Sequence, residues 1–422
     1  MKVHKKCLFF LVLSFLSLHV AQGQSTYQSP YSRFGLGDLY LPSNAMNGAM
    51  GGLKYGFRSP FLVNPSNPAS YTAFNKNYFV FDAGLQGSLV RMSAEEKTRD
   101  DGQFGLGSMT FGVPLNDRWS GALGLVPWSS VGYRISDPEV HPDFGGYNTI
   151  FEGNGGLNRV FIGTARKFGK SLSAGINLNY MFGSLNYMQT VTFDSTNFLN
   201  LRSEKSRIAS DISWDAGVQY MSMLNEERGL MLVAGAAVAL PASITMREDV
   251  LTETFRYSGS GVVMVRDTVD FVKGEKGEVK IPMNLAGGVS LRRGDRWMLG
   301  ADFAMQDWTR YEAFGQTDSL SSSYQVALGG EYKVNNIFLR GGARFNQTYL
   351  QLKGNQLNEY GISFGLGVPV YNKSYSVSML SAGVEIGQRG TKENGLIKEN
   401  FGRIWVSFTM NQERWFKRRE YL

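Results

Sequence analysis

Between residues 78 and 410 the chain divides into fourteen segments in which apolar positions alternate with small or polar ones, and the connections between them alternate short and long. Residues 360–370 carry the pattern most plainly, with Tyr360, Ile362, Phe364, Leu366, Val368 and Val370 interleaved with Gly361, Ser363, Gly365, Gly367 and Pro369. A period of two puts each set on its own face of a strand. Residues 281–291 and 208–220 repeat it. The short connections fall at 115–117, 168–170, 225–228, 294–296, 334–336 and 371–373, and the longer ones lie between them. Outer-membrane barrels are built this way, with short turns toward the periplasm and longer loops outward. The expected fold is all-β, a transmembrane antiparallel β-barrel of about fourteen strands over residues 78–411. Apolar parity slips near Gly107 and Ser108 and again near Leu380, which predicts a β-bulge at each place. The longest outward connection, 247–280, predicts a hairpin of its own (252–257 and 261–272). If that hairpin entered the membrane the barrel would have sixteen strands. Its charges, among them Glu248, Asp249, Glu253, Arg256, Arg266, Asp267 and Asp270, are costly beside lipid and favour fourteen strands with the hairpin outside.

Residues 1–23 read as an export signal. Lys2, Lys5 and Lys6 precede an apolar run at 8–18 that is too short to span a bilayer, and Ala21-Gln22-Gly23 forms a small-x-small cleavage site. The mature chain then starts near Gln24, and the single cysteine, Cys7, leaves with the leader, so no disulfide forms. No later window approaches the roughly 18 consecutive apolar residues of a membrane helix. Helices and closed barrels are the two structures that satisfy their backbone in lipid, so the barrel remains, placed in a bacterial outer membrane with lipid as its surroundings. The formal charge of +7 falls to +4 without the three leader lysines. That charge is scattered, which argues against nucleic acid as a partner. His141 is the one mature histidine, set in an outer loop beside Pro142. With no cysteine beside it, zinc and thiol chemistry lack ligands, and neither an enzyme nor a cofactor or metal is expected.

Residues 24–77 are rich in Gly, Pro, Ser and Asn, too irregular for a strand and too apolar for a disordered tail. They are expected to fold into the lumen as a hatch, with residues 412–422 as a periplasmic tail around Trp415 and Phe416. The small-residue run 45–52, followed by Asn67-Pro68-Ala69 just ahead of the first strand, resembles the hatch of the FadL family of outer-membrane barrels. That resemblance covers the architecture of the mature chain, while motif-level similarity is confined to the hatch. It implies passive transport of hydrophobic small molecules, with a hatch that plugs the lumen and a kink in the third strand that opens a side gap. Asn67, Pro68 and Ala69 would then lie at the hatch contact and Pro127 at the kink, since proline belongs at edges, bulges and kinks. An equally open alternative makes Pro127 a bulge near the rim. The opening around Arg33 and Asp38 and the aromatic-basic tail depart from the general FadL pattern. They resemble a divergent branch in which related barrels act as subunits or scaffolds of outer-membrane protein assembly or secretion complexes.

Asp82, Asp211, Asp215, Arg292, Asp302, Glu331, Arg340 and Arg344 fall on the lumen face by parity. Buried charges are normally paired, so these are expected to pair across the lumen or to anchor the hatch, with Arg33 and Asp38 as candidate partners. Arg340 and Arg344 could instead meet a ligand carboxylate. A continuous apolar pocket between hatch and wall would favour transport, whereas a lumen filled by side chains would favour the scaffold.

Overall fold

A computed structural model describes residues 29–40, 44–95, 97–371 and 377–413. The expected signal peptide and most of the expected tail lie outside the described residues. Among these residues fourteen strands close into one antiparallel barrel. They are β1 (Tyr78–Ala94), β2 (Lys97–Pro114), β3 (Trp119–His141), β4 (Gly145–Phe168), β5 (Leu172–Phe193) and β6 (Asn200–Asn225). Next come β7 (Leu230–Ala239 and Ala242–Tyr257), β8 (Val263–Ile281 and Asn284–Arg293), β9 (Trp297–Gln306) and β10 (Ser323–Val334). β11 (Ile337–Leu352), β12 (Asn355–Tyr371), β13 (Val377–Arg389) and β14 (Lys398–Glu413) complete the wall. β14 pairs with β1 from Lys398 opposite Ser93 to Glu413 opposite Tyr78, so the sheet has no free edge at its seam. Closure is what lets a sheet cross lipid without exposing unpaired backbone.

The direction of the apolar face separates a membrane barrel from a soluble sandwich. Ile362 and Phe364 are 52% and 57% exposed while Ser363 between them is fully buried. Leu299, Leu328, Ile386 and Ile404 point outward in the same way on β9, β10, β13 and β14. Greasy side chains outside and small or polar ones inside is the inverse of a water-soluble fold, and it defines the lipid belt.

Beyond that belt the wall is lopsided. β3 to β8 continue well outward, and the charged connection at 247–280 is the continuation of β7 and β8, paired from Ala242 opposite Ile281 to Tyr257 opposite Val263. The hairpin therefore prolongs two existing strands and adds none to the membrane. A bulge occurs at Gly107, where Gly84 faces Ser108 and Leu85 faces Leu106. The bulge expected near Leu380 is absent, because β13 pairs without a register shift on both sides from Met379 to Arg389. The parity change there comes from Met379, an apolar side chain buried on the lumen face, while Leu380, Val384 and Ile386 face outward.

The hatch is inside. Its ordered pieces are a 3-10 turn at Pro30–Arg33, a two-residue strand at Asp38–Leu39, a short helix at Ala45–Gly48 capped by Asn44, and a 3-10 helix at Pro68–Ala73 capped by Asn67. Three apolar clusters join it to the wall. Met46, Met50, Leu53 and Phe57 pack on Met298 and Ala327. Val63, Tyr71 and Phe74 pack on Ala122, Val126 and Phe161. Farther out, Tyr31 and Leu36 meet Val131, Ile244, Met246, Trp308 and Tyr349.

Wall glycines make this approach possible. A Cβ on Gly342 would lie 2.3 Å from the backbone nitrogen of Gly51, whereas a Cβ on Gly105 would meet nothing within 4 Å. Gly342→Ala should therefore lower the temperature at which the folded form converts to the unfolded band on a gel, at a cost of about 1–3 kcal/mol for forced displacement. Gly105→Ala should leave that temperature unchanged. Equal behaviour of the two variants would mean that the hatch does not rest on the wall.

Candidate functional site: the plugged lumen

Many of the polar side chains that face inward bond the hatch or each other. Asp302 on β9 accepts the backbone N–H groups of Lys54 and Tyr55 at 2.5 and 2.9 Å and that of Gly56 at 3.3 Å. Asp82 on β1 accepts from the Asn44 amide at 2.7 Å and from Thr409 at 2.6 Å. Gln219 on β6 donates to the carbonyls of Tyr55 and Phe57, and Ser290 on β8 donates to that of Gly56. Hatch backbone that is neither helix nor sheet finds its partners in wall side chains, which is how irregular backbone persists at membrane depth.

Asn67 and Pro68 sit at the centre of this contact. The Asn67 carbonyl accepts from the Ala69 N–H at 3.2 Å, capping the 3-10 helix, while its amide donates to the Tyr55 carbonyl at 2.9 Å and reaches Val218 at 3.3 Å. Pro68 lies against Gly175 and Gly217, and Ala69 is fully buried. The motif thus joins two parts of the hatch to β5, β6 and β7.

An ion-pair layer crosses the outer half of the lumen. Arg344 bonds Glu385 at 2.6 Å and also Glu359, and Arg403 bonds the same two carboxylates at 3.2 and 2.8 Å. Arg389 holds Glu399 at 2.7 Å and grips Asp38 of the hatch with both terminal nitrogens, at 2.8 and 3.1 Å. Arg340 pairs with Glu331 at 2.7 Å and donates to Ser381. Arg340 and Arg344 are therefore engaged by wall carboxylates. Asp38 is held by Arg389, and Arg33 lays its guanidinium over the Phe151 ring at 4.2 Å from the centroid. Of the other inward charges, Asp215 pairs with Arg159 at 3.1 Å, Arg292 donates to the Arg58 carbonyl, and Asp211 caps the Thr245 N–H at the rim. Burial pushes the Tyr31 phenol of the hatch up to about 12 and the Lys54 amine down to about 8. His141 stacks on Phe144 in the outer extension, with centroids 4.0 Å apart.

Glu359, Glu385, Arg389, Glu399 and Arg403 were not singled out by sequence. The signal was available, because Glu359 and Glu385 share the parity of the small residues in their strands, opposite to Tyr360 and Ile386 on the lipid side.

At β3 the wall opens. β2 and β3 pair from Pro114 opposite Ser120 only as far as Met109 opposite Leu125. At Pro127 the ladder to β4 also shifts, leaving Trp128 unpaired between Pro127 and Ser129. Beyond this point the edge of β3 is taken by the hatch: Asp38 and Leu39 pair with Ser130 and Ser129, and Tyr40 donates to the Trp128 carbonyl at 2.9 Å. A cavity of about 150 Å³ lies beside this patch, lined among others by Asp38, Tyr40, Gln103, Arg389 and Arg403. A larger one, about 290 Å³, occupies the middle of the lumen and touches Lys54, Arg159, Asp215 and Pro127.

A family model described as BamG matches residues 3–421. No curated protein sequence matches the chain. Among solved structures it is similar in fold to a Pseudomonas aeruginosa FadL homologue, at 13% identity and TM-score 0.62 over 89% of this chain and 99% of that one. It is similar also to the Ralstonia pickettii toluene transporter TbuX (13%, 0.58, 87% and 97%) and the Pseudomonas putida toluene transporter TodX (16%, 0.56, 92% and 99%). The fold is therefore that of a FadL-type outer-membrane barrel.

If Arg389 ties the hatch to the wall, Arg389→Met should strand Glu399 and Asp38 and destabilise the fold by about 3–5 kcal/mol, the usual cost of removing one partner from a buried pair. Asp38→Asn should cost less. Both should speed amide hydrogen exchange across residues 29–40, and unchanged exchange in both would show that the tie is not holding the segment.

Proposed function

The chain belongs to the BamG family, and from that membership and its blocked lumen we propose that it serves as a non-enzymatic subunit or scaffold of an outer-membrane protein assembly complex. The family's name is of the series given to the β-barrel assembly machinery. One observation carries the reading: the lumen is closed along its axis by a hatch whose backbone is bound to Asp302, Gln219 and Ser290, and is crossed by the Arg344–Glu385–Arg403 layer. A hydrophobic solute entering from outside meets paired charge instead of a continuous apolar path. The two central cavities are lined by Asp38, Arg389 and Arg403 in one case and by Lys54, Arg159 and Asp215 in the other. What remains for interaction is the exterior, where β3 to β8 rise beyond the belt on one side.

A second reading is favoured by the break between β2 and β3. In it a small hydrophobic molecule reaches the membrane sideways near Pro127, as the likeness to hydrocarbon channels suggests, and residues 38–40 move to let it pass.

Purification from native membranes in mild detergent, with mass spectrometry of proteins and extracted lipids, decides between the two. The assembly role predicts partner proteins in near-stoichiometric amount without an enriched small molecule. A lone barrel carrying one enriched hydrophobic compound would overturn it in favour of transport.

A further inference from the structure

Arg166 stands near the periplasmic end of β4, just before the turn at 168–170, and shares the outward face of Val160 and Ile162. Its guanidinium lies 5.2 Å from the ring centroids of both Trp119 and Phe168. The Nε is buried without a hydrogen-bond partner, and among the described residues no carboxylate neutralises the charge. The turns on either side add Arg118, Lys167 and Lys170, while the one acid there, Asp117, is held by Lys76 at 2.8 Å. A cation beside lipid is costly unless it reaches the headgroups, and girdles of aromatic rings mark that level.

Next to Arg166 the apolar belt is hollowed. One row of paired residues leads away from it: Arg166 faces Ala174 on β5, Ala174 faces Val218 on β6, Val218 faces Ala236 on β7, and Ala236 faces Gly287 on β8. Directly opposed residues share a face of the sheet, so Ala174, Ala236 and Gly287 leave the outer surface low where Leu, Ile and Phe stand elsewhere in the belt. The hollow measures about 490 Å³, and every side chain that lines it is apolar, with Leu285, Phe303 and Met305 at its far end. From β5 to β8 it spans about 14 Å, three strand spacings. The row also climbs away from the periplasm. Ala174 is two residues from the periplasmic end of β5, whereas Ala236 and Gly287 are each six from the periplasmic ends of β7 and β8.

We infer that this face holds one anionic phospholipid of the inner leaflet, its phosphate on Arg166 and one acyl chain along the hollow. The two rings fix the guanidinium, and the basic turns beside it favour a headgroup of net negative charge. The small residues let the chain lie against the strand backbone, outside the barrel wall along its whole length. A face of small residues alone would equally suit another membrane protein, and the unneutralised Arg166 at its foot is what favours a lipid. This proposal goes beyond the assembly role and does not require it.

The test equilibrates the full-length protein in non-ionic detergent with phosphatidylglycerol or with phosphatidylcholine and counts the retained lipid by native mass spectrometry. One phosphatidylglycerol per barrel is expected, held more tightly than phosphatidylcholine. Arg166→Gln should weaken that retention about fivefold, the usual worth of one basic side chain beside an anionic headgroup, and Arg166→Lys should lose less. Ala236→Leu, which fills the hollow, should weaken retention of both lipids. Arg293→Gln, which alters an arginine opposite Trp297 at the same margin but away from the hollow, should change nothing. The heat-modifiable gel shift confirms the folding of each variant. Equal retention of the two lipids by the unaltered protein, or equal loss in Arg166→Gln and Arg293→Gln, would overturn the proposal. So would an Ala236→Leu protein that keeps its lipid but loses partner proteins from native membranes, since the face would then belong to another membrane protein.

Discussion

A barrel of fourteen strands is too wide for its own side chains to fill. Eight strands leave an interior that side chains can just occupy, and each added pair of strands widens it. Nearly everything else in the structure answers that constraint. The stretch from Ser29 to Phe74 supplies the missing volume, the wall strands carry glycine where that segment touches them, and Asp82, Asp302, Gln219 and Ser290 satisfy backbone that forms no regular structure. Because the hatch has little secondary structure, its position is fixed by the wall, and the wall's inner face is shaped for it.

The same constraint accounts for where the charges went. A wide lumen walled by lipid is a poor solvent for single ions, so carboxylates and guanidiniums gather into layers in which Arg344, Arg389, Arg403, Glu359 and Glu385 each bond at least two partners. Arg389 is the clearest case, since it binds Glu399 on the neighbouring strand and Asp38 on the hatch at once. Such a layer adds little to stability compared with a packed apolar core of the same shape. Its effect is positional: it fixes one orientation of residues 29–40 against the edge of β3, where the second strand has turned away. The gap in the wall and the segment that covers it are thereby a matched pair.

Much of this was legible in the sequence, for identifiable reasons. Lipid imposes a strict alternation, so β12 could be read residue by residue, and turn lengths gave the sidedness of the barrel. The bulge at Gly107 was legible because Phe104, Leu106, Met109 and Phe111 change parity across it. The one expected near Leu380 was not there, because Met379 is an apolar side chain on the lumen face, where alternation alone places only small or polar residues. The outer extension of β7 and β8 was recognised as a hairpin but not as a continuation of two membrane strands, since pairing register across Pro241 and Pro282 leaves no trace in composition. The lumen charges followed the same parity rule, yet their partners did not: Asp38 and Arg389 are 351 residues apart, and only the closed barrel brings them together.

In the assembly role proposed above, the hatch is a fixed part of the wall and not a moving gate. The mature chain carries no cysteine if the leader is removed, so a single pair can be introduced cleanly. Ala49→Cys with Gly383→Cys suits the purpose, because a Cβ at 383 would lie 3.1 Å from that of Ala49, a few tenths of an ångström inside the roughly 3.5–4.5 Å that a disulfide spans. Oxidation would then bind hatch to barrel covalently. The account predicts that the oxidised protein recovers the same partner proteins from native membranes as the reduced protein. Loss of those partners, or loss of a transport activity, on oxidation and its return on reduction would show instead that the hatch must move.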